Sequence, residues 1–413
     1  MDKKMTAPPG PRAGDDNSHT RRSALGLFLG APLLAGCAGL SSQFGSGFGT
    51  GSGSEQPPGP AGPAQQAVAV GSGQVKVGLI LPLSGAGNAG VAGNSMKNAA
   101  ELALAEFHNP DLQLLIKDDA GTSNGAQQAA QQALDEGSEI ILGPLFGLSV
   151  PAVAQLARSR NISVIAFSTD SSVAGRGVFL LSFLPESDVN RIVDYAASTG
   201  KRSFAALLPE NAYGNVVEVA FKQRVAERGG RVVAFEKYSS DPSQMQATAR
   251  AIAQSLGNAD SLLLADDGEM LGRLVEQLNA GGADLKRVQL LGTGLWDNPR
   301  VFADSGLQGG IYAAPDPSGF RAFAKRYRAK YSQDPVRTAT LAYDAVALVA
   351  ALAKTQGGQR FSQETLTNPS GFAGIDGLFR FRSDGTNERG LAVLRVTSGG
   401  GQIVVAPPKT FGA

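Results

Sequence analysis

The stretch "VKVGLILPLSGAGNAG", residues 75–90, decides how the rest of the chain reads. Its first seven residues are apolar apart from Lys76 and Gly78, rich in β-branched side chains and bounded by Pro82. That pattern predicts a buried strand. A helix is predicted over 94–108, with Met96, Ala99, Ala100, Ala103, Leu104 and Phe107 on one face and Pro110 ending it. His108 then falls at the helix end, where a cationic side chain favours the helix dipole. An apolar strand followed by an amphipathic helix is the opening of a βαβ unit.

The unit repeats. Strands are predicted at 112–117, 139–142 and 162–167, with helices at 124–135 and from Ser149, where Ser149 is a cap and Pro151 lies in the first turn. The pattern then restarts with helix 186–198, strand 204–208 and helix 215–227. Strand 232–238, helix 243–256, strand 262–265, helix 269–279 and strand 288–291 complete the second series. Helices at 320–331 and 338–353 follow, and 377–382 with 391–397 read as a strand couple. Two successive series predict an α/β fold of two doubly wound parallel sheets. Ligands of such sheets sit beyond the carboxyl ends of the strands, so the loops there hold the candidate site.

The first of these loops contains Gly85-Ala86-Gly87-Asn88-Ala89-Gly90, formally G-x-G-x-x-G between strand and helix. Asp118 ends the second strand, where a ribose-binding acid would lie, so an exported dinucleotide-binding oxidoreductase is one reading. Its spacing is poor. Pro82 and Ser84 push the glycines past the strand end, and Asp118 lies 28 residues beyond Gly90 rather than about 20 beyond the motif. No Lys, His or Tyr stands out as a hydride-transfer partner.

The amino terminus supplies a second kind of signal. "RRSALGLFLGAPLLAGC", residues 21–37, joins a basic pair to about fourteen residues that are mostly apolar and end in the chain's one cysteine. That is shorter than the roughly 20 residues a spanning helix needs, and it has the layout of an export signal. Leu34-Ala35-Gly36-Cys37 resembles the lipobox of bacterial lipoproteins, which implies a signal peptide over 1–36 and acylation of Cys37. Residues 20–25 also resemble a twin-arginine signal, although Ala24 stands where Phe is usual, so both the general and the twin-arginine export routes remain open. Ala38 follows the cysteine; the absence of Asp there favours the outer membrane.

Residues 37–74 are rich in Gly, Ser and Pro and are expected to be a disordered linker behind the lipid anchor. A chain of that length spans roughly 30–35 Å. The whole chain has 37 basic and 36 acidic residues, and removal of 1–36 leaves a net charge near −1. Without a basic block there is no electrostatic case for nucleic acid. After cleavage His108 is the one histidine left, which supplies neither a Ser-His-Asp triad nor a zinc cluster. No metal, cofactor or catalytic residue is expected.

"KVGLILPLSG", "KDDAG", "GSEIILGPL", "NISVIAFSTD", "LPENAYG" and "AYDAVALVAA" together resemble the type I periplasmic binding proteins, specifically the leucine/branched-chain amino-acid-binding family, in order from Val75 to Val405. The resemblance implies two lobes joined by a hinge of three crossovers, closing on a small ligand, with an inner-membrane ABC permease as partner and no chemistry done. The expected lobes are 75–184 with 312–375, and 185–311 with 376–408. Ser84, Ser149, Ser168, Thr169, Asp170, Tyr213, Asp267 and Trp296 fall at ligand-facing loops, with Trp296 a candidate stacking platform.

The sequence departs from that family at its contacts. A disulfide usual there falls at Gly121 and Phe146. The Ser that holds the ligand's α-carboxylate falls at Gly147, the acid that pairs with the α-ammonium falls at Gly294, and an aromatic of the first loop falls at Gly90 or Val91. Tyr213 is kept, and the lid Tyr falls near Asp267. Asp170 stands near the Thr that meets the carboxylate, where like charge repels. "LGPL", "IAF" and "LLSFLPESD" resemble instead the lipoprotein activators of penicillin-binding proteins, which regulate peptidoglycan synthesis by protein contact. Their helical-repeat amino-terminal domain has no counterpart ahead of residue 75. Metabolic labelling with a palmitate analogue should mark the wild type and leave Cys37→Ser unmarked; a labelled variant would remove the anchor from the account.

Overall fold

The computed structural model describes residues 68–412. The signal segment, Cys37 and residues 38–67 of the expected linker lie outside them. Strand β1 (Val68–Val70) is the first described element, so the end of the stretch read as linker is structured. It pairs antiparallel with β3 and so covers an otherwise bare edge of the first sheet.

Strands β2 (Val75–Leu81), β3 (Leu112–Asp118), β4 (Ile140–Leu142), β5 (Ser163–Ala166) and β6 (Val178–Leu180) run parallel in the order β3-β2-β4-β5-β6. Helices α1 (Asn88–Glu106), α2 (Ser123–Asp135) and α3 (Val150–Ser159) connect them. Helix α1 begins six residues earlier than its apolar face suggested, with Gly87 at its amino end. Ser149 does not cap α3: its hydroxyl is buried and lacks a partner. Pro151 does lie in the first turn.

Helix α4 (Pro185–Ser198) leads into the second sheet. Strands β7 (Ser203–Pro209), β8 (Arg231–Tyr238), β9 (Ser261–Leu264), β10 (Gln289–Gly292) and β11 (Ile311–Ala314) are parallel, in the order β8-β7-β9-β10-β11. Their connections are α5 (Ala212–Glu227), α6 (Pro242–Ser255), α7 (Gly268–Ala280) and the short α8 (Pro299–Ala303). Helices α9 (Pro317–Tyr331), α10 (Ala339–Thr355) and α11 (Gln363–Leu366) return to the first lobe, where α10 lies along α1. Strands β12 (Phe372–Gly374), β13 (Gly377–Phe381) and β14 (Asn387–Arg389) form a small antiparallel sheet, and β15 (Ala392–Thr397) and β16 (Gly400–Val405) extend the second sheet beyond β11.

Three sequence expectations change here. The couple 377–382 with 391–397 does not form, since β13 pairs with β12 and β14 whereas β15 pairs with β11 and β16. Residues 311–314, expected mostly in the first lobe, are a strand of the second sheet. Residues 377–389, expected in the second lobe, sit against the first core through buried Phe379 and Phe381.

Both parallel sheets share one winding: the chain starts at the second strand in the row and reverses direction after the next. The reversal falls between β2 and β4 in one sheet and between β7 and β9 in the other. A crevice opens at such a point because the two flanking connections leave on opposite faces. By that rule the loops 82–87 and 143–149 of one lobe, and 210–213 and 265–267 of the other, are those expected at a cleft.

Candidate functional site

In the first lobe, the loop after β2 is tied to the end of β3. The Ser84 N–H donates to Asp118 at 3.2 Å. Although burial opposes it, hydrogen bonds from Ser84 and Ala120 hold the Asp118 carboxyl below its ordinary range. Neighbouring Asp119 behaves oppositely: burial, with Asp118 close by, pushes it up to about 6, and its Oδ2 has no partner. A Cβ on Gly121 would lie 3.4 Å from the Phe146 ring, so the two positions that match the family's disulfide still adjoin.

Gly147 is where the family's carboxylate-binding Ser falls. A Cβ there would meet Ser168 Oγ at 3.1 Å and Asp170 Oδ2 at 3.2 Å. The hollow is thus filled by the protein's own hydroxyl and carboxylate. Buried Ser168 accepts from the Asp170 N–H at 3.0 Å, and Asp170 accepts from the Ser172 N–H at 3.0 Å and from its hydroxyl at 2.6 Å. Asp170 is therefore both the cap of a short helical turn and the acid beside Gly147. Thr169 is exposed on the same turn. Ser149, two residues beyond Gly147 in the same short helical turn, is buried with its hydroxyl unpaired.

In the second lobe, Tyr213 in the first turn of α5 shares a hydrogen bond of 2.8 Å with buried Thr293. Burial, and less strongly the charges of Asp188 and Asp266, raise the Tyr213 hydroxyl. Asp266 is bound closely by the Tyr238 hydroxyl, and burial raises its carboxyl. Asp267 serves local structure, accepting from the N–H groups of Glu269 at 2.9 Å and Met270 at 3.2 Å to start α7.

Trp296 is not a stacking platform. It is 0% exposed, its indole N–H donates to the Leu264 carbonyl at 2.9 Å, and Cβ atoms on Gly292 or Gly310 would collide with its ring. The two glycines make a slot for it in the second core. The residue that the sequence reading missed is Asp188, in the first turn of α4. Its Oδ2 accepts from the Gly294 N–H at 2.9 Å, and a Cβ on Gly294 would lie 3.0 Å from that same oxygen. A carboxylate thus stands at the position of the family's ammonium-binding acid, delivered from another element. Burial pushes it up to about 7 against the Gly294 bond and the charges of Arg389 and Arg337. Asp188 in a first helical turn reads from sequence as an ordinary helix-start charge, and nothing there points to Gly294.

Two parallel-sheet lobes with facing switch-point loops, acids and hydroxyls on both sides and a junction of several chain crossings define a two-lobed cleft binder. The chain belongs to the periplasmic binding protein family, whose model matches residues 74–401, and it has the type I fold of that family. Members bind solutes rather than transforming them.

Among relatives, an uncharacterized protein of Rickettsia prowazekii (strain Madrid E) is 21% identical over 226 residues, 52% of this chain and 59% of that protein. The penicillin-binding protein activator LpoA of Enterobacter sp. (strain 638) is 26% identical over 141 residues, 34% of this chain and 19% of LpoA. The chain thus spans under two thirds of the first of these curated relatives and about a fifth of the second. A solved ABC transporter substrate-binding protein from Sphaerobacter thermophilus superposes with a TM-score of 0.66 at 20% identity, covering 81% of this chain and 98% of that one. At that identity the likeness concerns the fold.

Asp188 carries a pH test. In the unfolded chain an Asp ionises near 3.8, so between about pH 4 and about pH 7 the folded protein keeps a proton that unfolding releases. The resulting stabilisation is complete below pH 4 and lost as pH rises through 7. Asp188→Asn keeps the acceptor for Gly294 and removes the titration. Its stability relative to wild type should rise from pH 4 to pH 8 by roughly 1–2 kcal/mol, discounted for partial exposure. A pH-independent difference in denaturant melts would contradict the assignment.

Proposed function

We propose that the protein is an extracytoplasmic solute-binding lipoprotein of an ABC importer, held at the periplasmic face of a membrane, the outer membrane favoured, through acylated Cys37. It captures a small polar ligand between the lobe built on the first and third sheets and the lobe built on the second. Family membership and the likeness to an ABC transporter substrate-binding protein support capture for a permease.

The observation that carries the ligand class is the pair of carboxylates at Gly147 and Gly294. Asp188 offers an acid to an amine at the second position. Asp170 occupies the first with negative charge, so a ligand carboxylate there meets repulsion and loses its hydroxyl partner. Losing one side of a buried charge pair costs about 2–5 kcal/mol, enough to remove useful affinity. The cleft therefore selects an amine or polyhydroxy solute without an α-carboxylate. Ser84, Ser149, Ser168, Thr169 and Tyr213 are the hydroxyl partners in this reading. Asp267 and Trp296 take no part in it, being engaged in a helix cap and a core slot.

A second reading is regulation of peptidoglycan synthesis by contact with a penicillin-binding protein, favoured by the similarity to LpoA. An outer-membrane anchor also suits it better, since an importer subunit there stands away from an inner-membrane permease. Crosslinking pulldown of the full-length chain decides: permease components are expected under capture, a penicillin-binding protein under regulation. For the ligand class, leucine, isoleucine and valine should neither raise the melting temperature nor compact the particle in solution scattering. A matched amine at a hundredfold excess over its Kd should add about 2.7 kcal/mol. A micromolar response to leucine would overturn the assignment of the carboxylate seat.

A further inference from the structure

Helix α9 has an unusual solvent face. Between Pro317 and Tyr331 it carries Arg321, Lys325, Arg326, Arg328 and Lys330 and no acid. Phe323, Ala324 and Tyr327 are buried on its other side, against α1 and the start of α10. At 100° per residue the five cations flank the exposed arc, Arg321, Lys325 and Arg328 on one side and Arg326 and Lys330 on the other, with Ser318, Ala322 and Ala329 between them. Arg326 is paired with Glu106 at 3.0 Å and Arg328 with Asp334 at 2.9 Å. Among the described residues Arg321, Lys325 and Lys330 enter no ion pair, and all three are exposed.

The chain enters the fold beside this helix. Behind β1, Gly71–Gly73 share a cavity of about 690 Å³ with Glu101, Asp111 and Lys330. The acids there are engaged: Glu101 pairs with Lys97 at 3.7 Å, and Asp111 accepts from the Gln74 N–H at 2.7 Å. The segment that leads from Cys37 thus joins the body beside the basic helix. Only 30 residues, 38–67, separate the cysteine from β1, at most about 100 Å when fully stretched.

We propose that the outer face of α9 docks on the anionic phospholipid headgroups of the membrane that holds Cys37. On the reading that Cys37 is acylated, entry of the chain beside α9 turns this side of the body towards the bilayer, and the long Arg and Lys side chains reach outward from both flanks of the helix to the phosphates. Charges at 0.15 M salt act over about 8 Å, so the helix works at near contact. The cysteine anchor sets only which way the body faces; the docking surface is the helix itself and is tested without acylation.

Full-length Cys37→Ser should bind vesicles of phosphatidylcholine mixed with phosphatidylglycerol, lose them in high salt, and ignore phosphatidylcholine alone. A basic residue at an anionic surface strengthens binding roughly fivefold. Adding Arg321→Glu, Lys325→Glu and Lys330→Glu should therefore weaken binding at least tenfold with an unchanged melting temperature. Lys325→Glu alone, expected to lose severalfold, serves if the triple variant unfolds. A control of equal charge change elsewhere, Arg176→Glu with Arg250→Glu and Lys286→Glu, should lose far less. Equal losses in both sets, no binding by Cys37→Ser, or tighter capture by polyglutamate than by vesicles would each overturn the proposal.

Discussion

The Phe183 ring, on the first chain crossing between the lobes, lies between two guanidinium groups, Arg337 at 4.5 Å and Arg389 at 4.7 Å. Arg337 is held by a two-bond pair to buried Asp376, at 2.6 and 2.9 Å, and Thr340 donates to the same carboxylate. Arg389 donates through Nε to the Ser182 carbonyl at 2.8 Å, and Asn387 donates to that carbonyl as well. Segments far apart in sequence are thereby fastened at one point. Asp376 is fully buried and its charge is compensated by half-exposed Arg337, whereas buried Arg389 leaves both Nη atoms without a hydrogen-bond partner. Burial pushes nearby Asp344 up to about 7, while Asp376, despite its burial, is held low by the Arg337 charge.

The cleft depends on that junction. Asp188 lies five residues after Phe183, and its position against Gly294 follows from where the first crossing is clamped. Ser171, just past the Asp170 turn, donates to Glu186 of α4 at 2.7 Å and so links the first-lobe acid to the same helix. Both acidic corners of the cleft are therefore referenced to the start of α4.

Much of the fold was legible in the sequence because buried parallel strands are short apolar runs, and Val75–Leu81 shows this in one stretch. Two short strands, Val178–Leu180 and Ile311–Ala314, were missed, although β4, β9 and β10 of the same length were read. Partner choice was lost too: nothing in 391–397 says that it pairs with β11 rather than β13. At the candidate site, two of the conspicuous loop residues have structural duties. Asp267 caps a helix and Trp296 fills a slot between Gly292 and Gly310. Asp188 escaped because its role depends on a glycine 106 residues away, a relation that only the folded chain displays.

On the proposed reading, Asp170 closes the seat that the family gives to a ligand carboxylate. The most direct measurement is native mass spectrometry of protein isolated from its own compartment, followed by denaturation and identification of the released solute. An amine or polyhydroxy compound without an α-carboxylate should be released; an α-amino acid in stoichiometric amount would rule out the closed seat.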